Sequence, residues 1–287
     1  MIGRVSRRGC AFAVAGAAAM LACGATAQSA LPTEAQARDY VRSLLVTSPY
    51  RIPRLARLGE IRYRVAFAPG RAWSWPETGE QHVIARGEDI ELRICADCGR
   101  EPAPTAAALR AALAANDWVR SDDRRIRAFA RAHARGGSVD TRMTALSEAV
   151  ARHMTGPIDF RRYDDAVAAL ETRSGDCTEF AVLLAAAARS LGMPARVAHG
   201  IAYAERFDGE AHVFMPHAWT QVWDGQRWRS YDAALGRFDA GHIALFIGDG
   251  SPEGLSGLAP VVRSLRVVAA AGVARDTASP AHRPPSP

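Results

Sequence analysis

The sequence contains no lysine, few cysteines and no long apolar run. All 36 basic residues are arginines, and against 30 acidic residues they give the 287-residue chain a net charge of +6. Five cysteines are too few to hold together a small disulfide-rich fold, so a hydrophobic core must supply most of the stability. The 48% share of hydrophobic residues excludes a disordered or collagen-like protein.

The first 27 residues have the pattern of a secretory signal peptide. Arginines at positions 4, 7 and 8 precede a 13-residue apolar run from Cys10 to Ala22. This run is shorter than the roughly 20 residues of a membrane-spanning helix. Small residues at 25–27 predict cleavage before Gln28, which we prefer to a lipoprotein anchor at Cys23. We expect an exported, periplasmic protein, and the general secretory and twin-arginine routes both stay open.

The charge gives no argument for a nucleic-acid partner. Half of the net charge of +6 belongs to the three arginines of the expected signal peptide. The other arginines are mixed with acidic residues and form no basic block. The sequence also has no glycine-rich phosphate loop, no His-Glu-x-x-His run and no paired cysteine and histidine set. We therefore expect neither a cofactor nor a metal ion.

Periodicity predicts a small β-rich unit over residues 28–103 and a larger domain over 104–272. Apolar and polar residues alternate in the first unit, whereas from Thr105 helical patterns come first and strand patterns follow from Ala195. Helices followed by consecutive strands predict an α+β fold. Residues 273–287 are rich in serine, proline and alanine and predict a disordered tail. Cys95 and Cys98 follow a predicted strand, where an oxidising compartment favours a local disulfide.

Cys177 is the candidate nucleophile. It follows Gly175 and Asp176 and begins an apolar helix that is predicted to run to Leu191. The first turn of a helix has unpaired backbone N–H groups and the positive end of the helix dipole, and both favour a thiolate. The competing interpretation is a small buried apolar residue, which is the commoner role of a lone cysteine.

His217 and Asp232 are predicted to form a pair across a β-hairpin. Apolar and polar residues alternate on both sides of Asp224-Gly225, the preferred dipeptide of a two-residue turn. With that turn, the register sets His217 directly opposite Asp232 on one face. A three-residue loop would put Asp232 on the wrong face, and a four-residue loop would leave a diagonal contact. A carboxylate in such a pair fixes the imidazole tautomer, and the other ring nitrogen can then accept a thiol proton. The competing interpretation is a surface histidine opposite a surface aspartate.

The remaining histidines and the tryptophans of this region give weaker signals. His199 and His242 alternate with apolar residues and are interpreted as packed or edge residues. Trp219, Trp223 and Trp228 fall on or near the hairpin face that carries His217. They either line a substrate cleft or pack against the helix of Cys177.

Four segments, in this order, resemble the transglutaminase-like superfamily of the papain-like cysteine-enzyme fold. They are Arg173-Ser-Gly-Asp-Cys-Thr-Glu-Phe180, Leu191-Gly-Met-Pro-Ala-Arg-Val197 with Gly200, His217-Ala-Trp-Thr-Gln-Val222, and Trp228-Arg-Ser-Tyr-Asp232. The resemblance implies a Cys-bearing helix packed on an antiparallel sheet, after the β-rich unit. It also implies Cys177 as nucleophile, His217 as general base and acid, and Asp232 as the orienting carboxylate. The Cys177 backbone N–H would form part of an oxyanion site.

An enzyme of this kind attacks an amide or peptide carbonyl and forms a thioester, which water or an amine then resolves. We expect hydrolysis of a peptide or protein substrate, because no calcium-binding loop of the animal transglutaminase type is evident. Acyl transfer to an amine stays open, and so does a non-catalytic peptide-binding or cell-wall-binding module with a vestigial triad. Since the chain has no lysine, it could not be cross-linked through its own lysine side chains. The sequence does not determine the oligomeric state.

Overall fold

The computed structural model describes residues 31–71, 73–85, 89–253 and 255–272. The expected signal peptide and the expected C-terminal tail lie outside the described residues. The helices are α1 (Glu34–Arg42), α2 (Arg54–Arg57), α3 (Ala106–Ala111), α4 (Arg124–His133), α5 (Val139–His153), α6 (Ala166–Thr172), α7 (Cys177–Ser190) and α8 (Leu258–Ser264). The strands are β1 (Val46–Thr47), β2 (Ile61–Phe67), β3 (Gln81–Ala85), β4 (Asp89–Ile94), β5 (Ala195–Phe207), β6 (Glu210–Trp223), β7 (Trp228–Tyr231), β8 (His242–Gly248) and β9 (Leu265–Ala271). Within the described ranges, none of the helices has both the length and the apolar character that crossing a membrane requires.

The strands form two antiparallel sheets. The larger sheet has the order β1, β6, β5, β8, and β7 pairs with the other part of β6. The smaller sheet has the order β3, β4, β2, β9. Five of the eight described helices, α3 to α7, lie between β4 and β5 in the sequence. This combination of helices with antiparallel sheets confirms the predicted α+β class.

Helix α7 is the centre of the larger core. From Ala181 to Ala188 no residue is more than 3% exposed. Helices α4, α5 and α6 pack around it, and strands β5 and β6 lie against it. The Thr220 hydroxyl in β6 donates to the Ala181 carbonyl at 2.8 Å and so fixes the helix to the sheet. The predicted packing of the Cys-bearing helix on an antiparallel sheet is confirmed.

The smaller sheet takes one edge strand from the far end of the chain. Strand β9, which the sequence analysis assigned to the larger domain, pairs with β2. The buried Tyr63 of β2 donates its hydroxyl to the Ala240 carbonyl at 2.8 Å, so the smaller sheet is also bonded to the loop before β8. The division at residue 103 stays a prediction, but the N-terminal sheet is completed by residues far beyond it. Pairing between such distant strands leaves no local pattern in a sequence.

The end of β4 and the start of β3 hold two further contacts. Cys95 and Cys98 form the expected disulfide directly after β4. The buried Glu80 accepts hydrogen bonds from the Ser230 N–H at 2.6 Å and from the Ser230 hydroxyl at 2.7 Å. These bonds attach the N-terminal sheet to β7, the strand that ends just before Asp232.

Candidate active site

Cys177 is the first residue of α7, and a capping box holds it there. The Asp176 carboxylate accepts from the Thr178 N–H at 2.8 Å, and the Glu179 carboxyl accepts from the Asp176 N–H at 2.8 Å. Gly175 has a φ of +144°, and a Cβ atom there would lie 2.6 Å from side-chain atoms of Glu179. Glycine therefore allows the close turn that places Cys177 at the start of the helix.

Glu179 is a buried carboxyl group that the sequence analysis did not single out. It is 1% exposed, and its second oxygen accepts from the Asp164 N–H at 2.7 Å. Burial, followed by the charge of Asp176, raises the pKa of Glu179 to about 8. The side chain ties the loop before α6 to the first turn of α7. In the sequence, the Asp-x-x-Glu spacing of a capping box indicates that Glu179 bonds to the start of the helix.

The hairpin has a different turn from the predicted one, but it still joins His217 to Asp232. Trp223 pairs with Trp228, so the loop has four residues, and the two-residue turn is wrong. This shift of two positions keeps both side chains on one face and makes their contact diagonal. His217 Nε2 donates to Asp232 Oδ2 at 2.8 Å, and both side chains are 1% exposed. The predicted pair is thus confirmed, whereas its direct register is not.

Asp232 is a fully bonded carboxylate. Besides His217, its Oδ2 accepts from His242 Nε2 at 2.9 Å. Its Oδ1 accepts from the backbone N–H groups of Ala234 at 2.8 Å and Leu235 at 3.0 Å. Burial opposes the charge, but the two imidazoles outweigh it and hold the pKa of Asp232 well below its usual range. The carboxylate is therefore ionised and fixed in orientation.

His242 is the functional candidate that sequence reasoning missed. It is packed as expected, at 3% exposed, but it also contacts two acidic residues. Nε2 donates to Asp232, and Nδ1 lies 3.0 Å from the Asp239 carbonyl oxygen, to which it donates when protonated. Burial lowers the pKa, but Asp232 and Asp239 more than compensate and raise it to about 9. At neutral pH His242 is an imidazolium that donates to the same Asp232 oxygen as His217.

Cys177 and His217 both line one cleft. The Cys177 sulfur accepts a hydrogen bond from the Ala218 N–H. Burial, with the charges of Asp176, Glu179 and Asp232, nevertheless raises the pKa of the thiol well above its ordinary value. The helix start alone therefore does not produce the thiolate that the sequence argument expected. A base is required, and His217 Nδ1 is buried with no hydrogen-bond partner among the described residues.

The cluster of His217, Asp232 and His242 also has the donor types of a metal site. One ligand atom of each lies within 4.8 Å of the others. The sequence predicts no metal ion because metal motifs have ligands at short spacings, whereas these three residues come from separate elements. The two imidazoles direct their Nε2 atoms at one carboxylate oxygen, so the hydrogen bonds already use the atoms that a metal would take.

Residues 127–233 match the family model described as the transglutaminase-like superfamily. This range contains Cys177, His217 and Asp232, and it runs from α4 to just beyond β7. This segment is thus similar to the transglutaminase-like superfamily.

Comparisons with solved structures find distant likenesses to this chain. It is similar to a presumed cysteine protease from Cytophaga hutchinsonii, with 14% identity over 74% of this chain and 82% of that one and a TM-score of 0.44. It is also similar to the periplasmic domain of TgpA from Pseudomonas aeruginosa bound to ethylmercury. That likeness has 17% identity over 70% of this chain and 95% of that domain, with a TM-score of 0.39. A comparison with curated proteins finds no match.

The cleft that Cys177 and His217 line encloses about 550 Å³. Most of its wall is apolar, with Phe160, Phe180 and Leu235 among the residues that form it. His199 also lines the cleft, so its interpretation as a packed residue is incomplete. An apolar cleft of this size suits the apolar groups of a ligand.

The tryptophans of the hairpin pack instead of lining this cleft. Trp219 is 2% exposed and contacts Phe238 and His242, with ring centroids 6.2 and 5.2 Å apart. Trp223 and Trp228 meet edge to face at 5.8 Å. None of the three belongs to the hydrophobic cluster around α7, so they pack, but not against the helix of Cys177 as one of the two interpretations had it.

Proposed function

We propose that this protein is a cysteine hydrolase that cleaves peptide or amide bonds through Cys177, His217 and Asp232. One observation carries the proposal. His217 has one ring nitrogen bonded to a buried carboxylate and the other buried without a partner, beside the cleft that the one free cysteine of the described residues also lines. This is the arrangement that a nucleophile, base and orienting group require.

In the first half of the reaction, His217 Nδ1 accepts the proton of the Cys177 thiol. The sulfur then attacks the carbonyl carbon of the substrate, and the carbonyl π electrons move to the oxygen. The Cys177 N–H has no acceptor within the helix because it belongs to the first turn, so it can donate to this oxygen. Collapse of the intermediate breaks the C–N bond, and His217 returns the proton to the departing amine. A thioester remains on Cys177.

In the second half, water replaces the amine. His217 accepts a proton from the water, the resulting hydroxide attacks the thioester carbon, and the C–S bond breaks to release a carboxylic acid. The proton returns to the Cys177 sulfur. Asp232 stays ionised throughout and stabilises the imidazolium of His217, and His242 holds Asp232 in place. Neither Asp232 nor His242 contacts the substrate, so both act as positioning residues.

The proposal includes export from the cytoplasm. Residues 1–27 have the signal-peptide pattern, and the disulfide between Cys95 and Cys98 suits an oxidising compartment. A hydrolase in this position would act on peptides or proteins outside the cytoplasm.

The test of the proposed function is labelling of Cys177 with iodoacetamide across pH, with Cys177→Ala as the background control. In His217→Ala the thiol should react only above the pH of an ordinary thiol, since burial and three carboxylates raise its pKa. The unaltered protein should react at lower pH because His217 takes the proton. If the two pH profiles coincide, His217 is not the base and the proposal fails.

A second measurement separates hydrolysis from transfer. A glutamine-containing peptide is supplied with and without a primary amine, and the products are identified by mass. Hydrolysis gives the acid product in both reactions, and His217→Ala should lower its rate by about 10³-fold. Product carrying the amine would instead indicate acyl transfer. Absence of any product with a panel of peptides, together with an unreactive Cys177, would support a vestigial site.

A further inference from the structure

His199 is a buried imidazole that the proposed mechanism does not use. The residue is 6% exposed, and its Nε2 has no hydrogen-bond partner in the described part of the chain. Burial, followed by the nearby His217, lowers the pKa of His199 to about 4, so the ring is neutral at physiological pH. A neutral imidazole donates from one nitrogen and accepts at the other. Buried polar atoms are nearly always paired, so this atom requires an explanation.

The position of His199 in the larger sheet places it beside the nucleophile. In the register of β5 and β6, His199 pairs with Ala218 and Gly200 pairs with His217. Side chains of directly paired residues share one face of a sheet. Ala218 is the residue whose N–H donates to the Cys177 sulfur. His199 and Cys177 thus line the same cleft, and both adjoin Ala218.

Resting on the proposed function, we propose that His199 donates a hydrogen bond from Nε2 to the substrate carbonyl oxygen while Cys177 attacks it. When the Cys177 sulfur bonds to the carbonyl carbon, the carbonyl π electrons move to the oxygen and leave it negatively charged in a largely apolar cleft. The Cys177 N–H is one donor to this oxygen, and Nε2–H of His199 is the second. His199 keeps its proton, so it does not compete with His217 for the proton of the thiol.

The alternative is that His199 only fills space. Its ring centroid lies 6.2 Å from that of Phe246, which a packing role would explain. A space-filling ring can be replaced by phenylalanine, whereas a donor can be replaced only by a side chain with an N–H group. The variants His199→Phe and His199→Gln therefore separate the two roles. His82→Ala, which removes an imidazole from β3 in the smaller sheet, is the control.

The experiment compares two reactions of Cys177. A peptide aldehyde with apolar side chains forms a thiohemiacetal: the sulfur bonds to the aldehyde carbon, and the thiol proton goes to the new oxygen, which needs the same donors. Alkylation by iodoacetamide forms no such oxygen. Protection from alkylation gives the affinity for the aldehyde. His199→Phe should bind the aldehyde about 100-fold more weakly, as expected for the loss of one oxyanion donor. His199→Gln should recover part of this loss, and both should be alkylated at the rate of the unaltered protein.

The outcomes separate this inference from the proposed function. Aldehyde affinity within 3-fold of the unaltered protein in His199→Phe, on the order of the scatter between structurally neutral variants, would overturn the role of His199 alone. Alkylation that slows in parallel with aldehyde binding in both variants would also overturn it, since the substitution would then have displaced Cys177. If the unaltered protein binds no aldehyde and its thiol reacts independently of His217, the proposed function itself fails. Should His199→Phe not fold, the aldehyde affinity of His199→Gln is compared with that of the control His82→Ala. An affinity of His199→Gln equal to that of the control would then overturn the role of His199.

Discussion

The charged state of His242 makes a prediction about stability that needs no substrate. His242 has a pKa of about 9 in the folded protein, against an ordinary value of 6.5, because Asp232 and Asp239 outweigh its burial. A histidine with a raised pKa stabilises the fold fully below its unfolded value, and this contribution is lost as pH rises through the folded value. The free energy of unfolding should therefore fall between pH 6.5 and about 9.

The size of this fall follows from the pKa difference. At about 1.4 kcal/mol per pKa unit, the rise from 6.5 to about 9 corresponds to about 3 kcal/mol. Burial also raises the pKa of Glu80 to about 7 and that of Glu179 to about 8. A carboxyl group with a raised pKa loses stability as pH rises from its unfolded to its folded value. The loss of stability from Glu80 is complete near pH 7 and that from Glu179 near pH 8. Above pH 8, His242 is therefore the one of these three groups that still changes the free energy of unfolding.

The assay is urea unfolding of the unaltered protein and of His242→Gln at several pH values from 6 to 9.5. The variant keeps Glu80 and Glu179, so their effects cancel in the difference. The unaltered protein should be more stable at pH 6, and its advantage should shrink by about 3 kcal/mol by pH 9.5. Asp232→Asn removes the charge that His242 faces and should show the same flattened pH dependence. An advantage that stays constant over this range would refute the assignment of a buried imidazolium.

Two further predictions concern the turn before Cys177. Gly175→Ala should destabilise the fold by about 1–3 kcal/mol more than Gly192→Ala, measured by urea unfolding, because both have positive φ but only Gly175 has atoms within 4 Å of the added Cβ. Equal losses would show that crowding against Glu179 contributes nothing. Glu179→Ala should cost about 2–5 kcal/mol at pH 7, because the Asp164 and Asp176 N–H groups lose their acceptor, and Glu179→Gln should cost less because it resembles the protonated carboxyl. Equal losses in these two variants would contradict the bonded role of Glu179.

The hairpin of β6 and β7 shows which of its features a local sequence rule predicts correctly. The dipeptide Asp224-Gly225 predicts a two-residue loop, but Asp224 Oδ1 accepts from the N–H groups of Gln226 and Arg227 at 2.8 Å and closes a four-residue loop. The alternation of side chains survives because the register moves by two positions. His217 and Asp232 therefore meet, diagonally instead of directly. Alternation determines which face a side chain takes, whereas turn length determines its partner.

The residues around the pair of His217 and Asp232 could not be identified as functional from local sequence patterns. His242 and His199 each lie in a strand pattern that predicts a packed side chain, and both are buried. Only the packed structure, in which β5 pairs with β6 and β8, shows that His242 bonds to Asp232 and that His199 lines the cleft. Strand β9 is a similar case, since its partner β2 is about 200 residues away in sequence.

Local patterns in the sequence predict the α+β class, the helix that begins at Cys177 and the pairing of His217 with Asp232, and they favour the disulfide of Cys95 and Cys98. Each of these depends on residues close in sequence, where capping, spacing and alternation act directly. The tertiary structure alone decided that Asp232 is held between two imidazoles, that burial raises the pKa of the Cys177 thiol, and that His199 faces the cleft. Burial and contacts between distant strands set these properties, because both arise only when separate elements pack together.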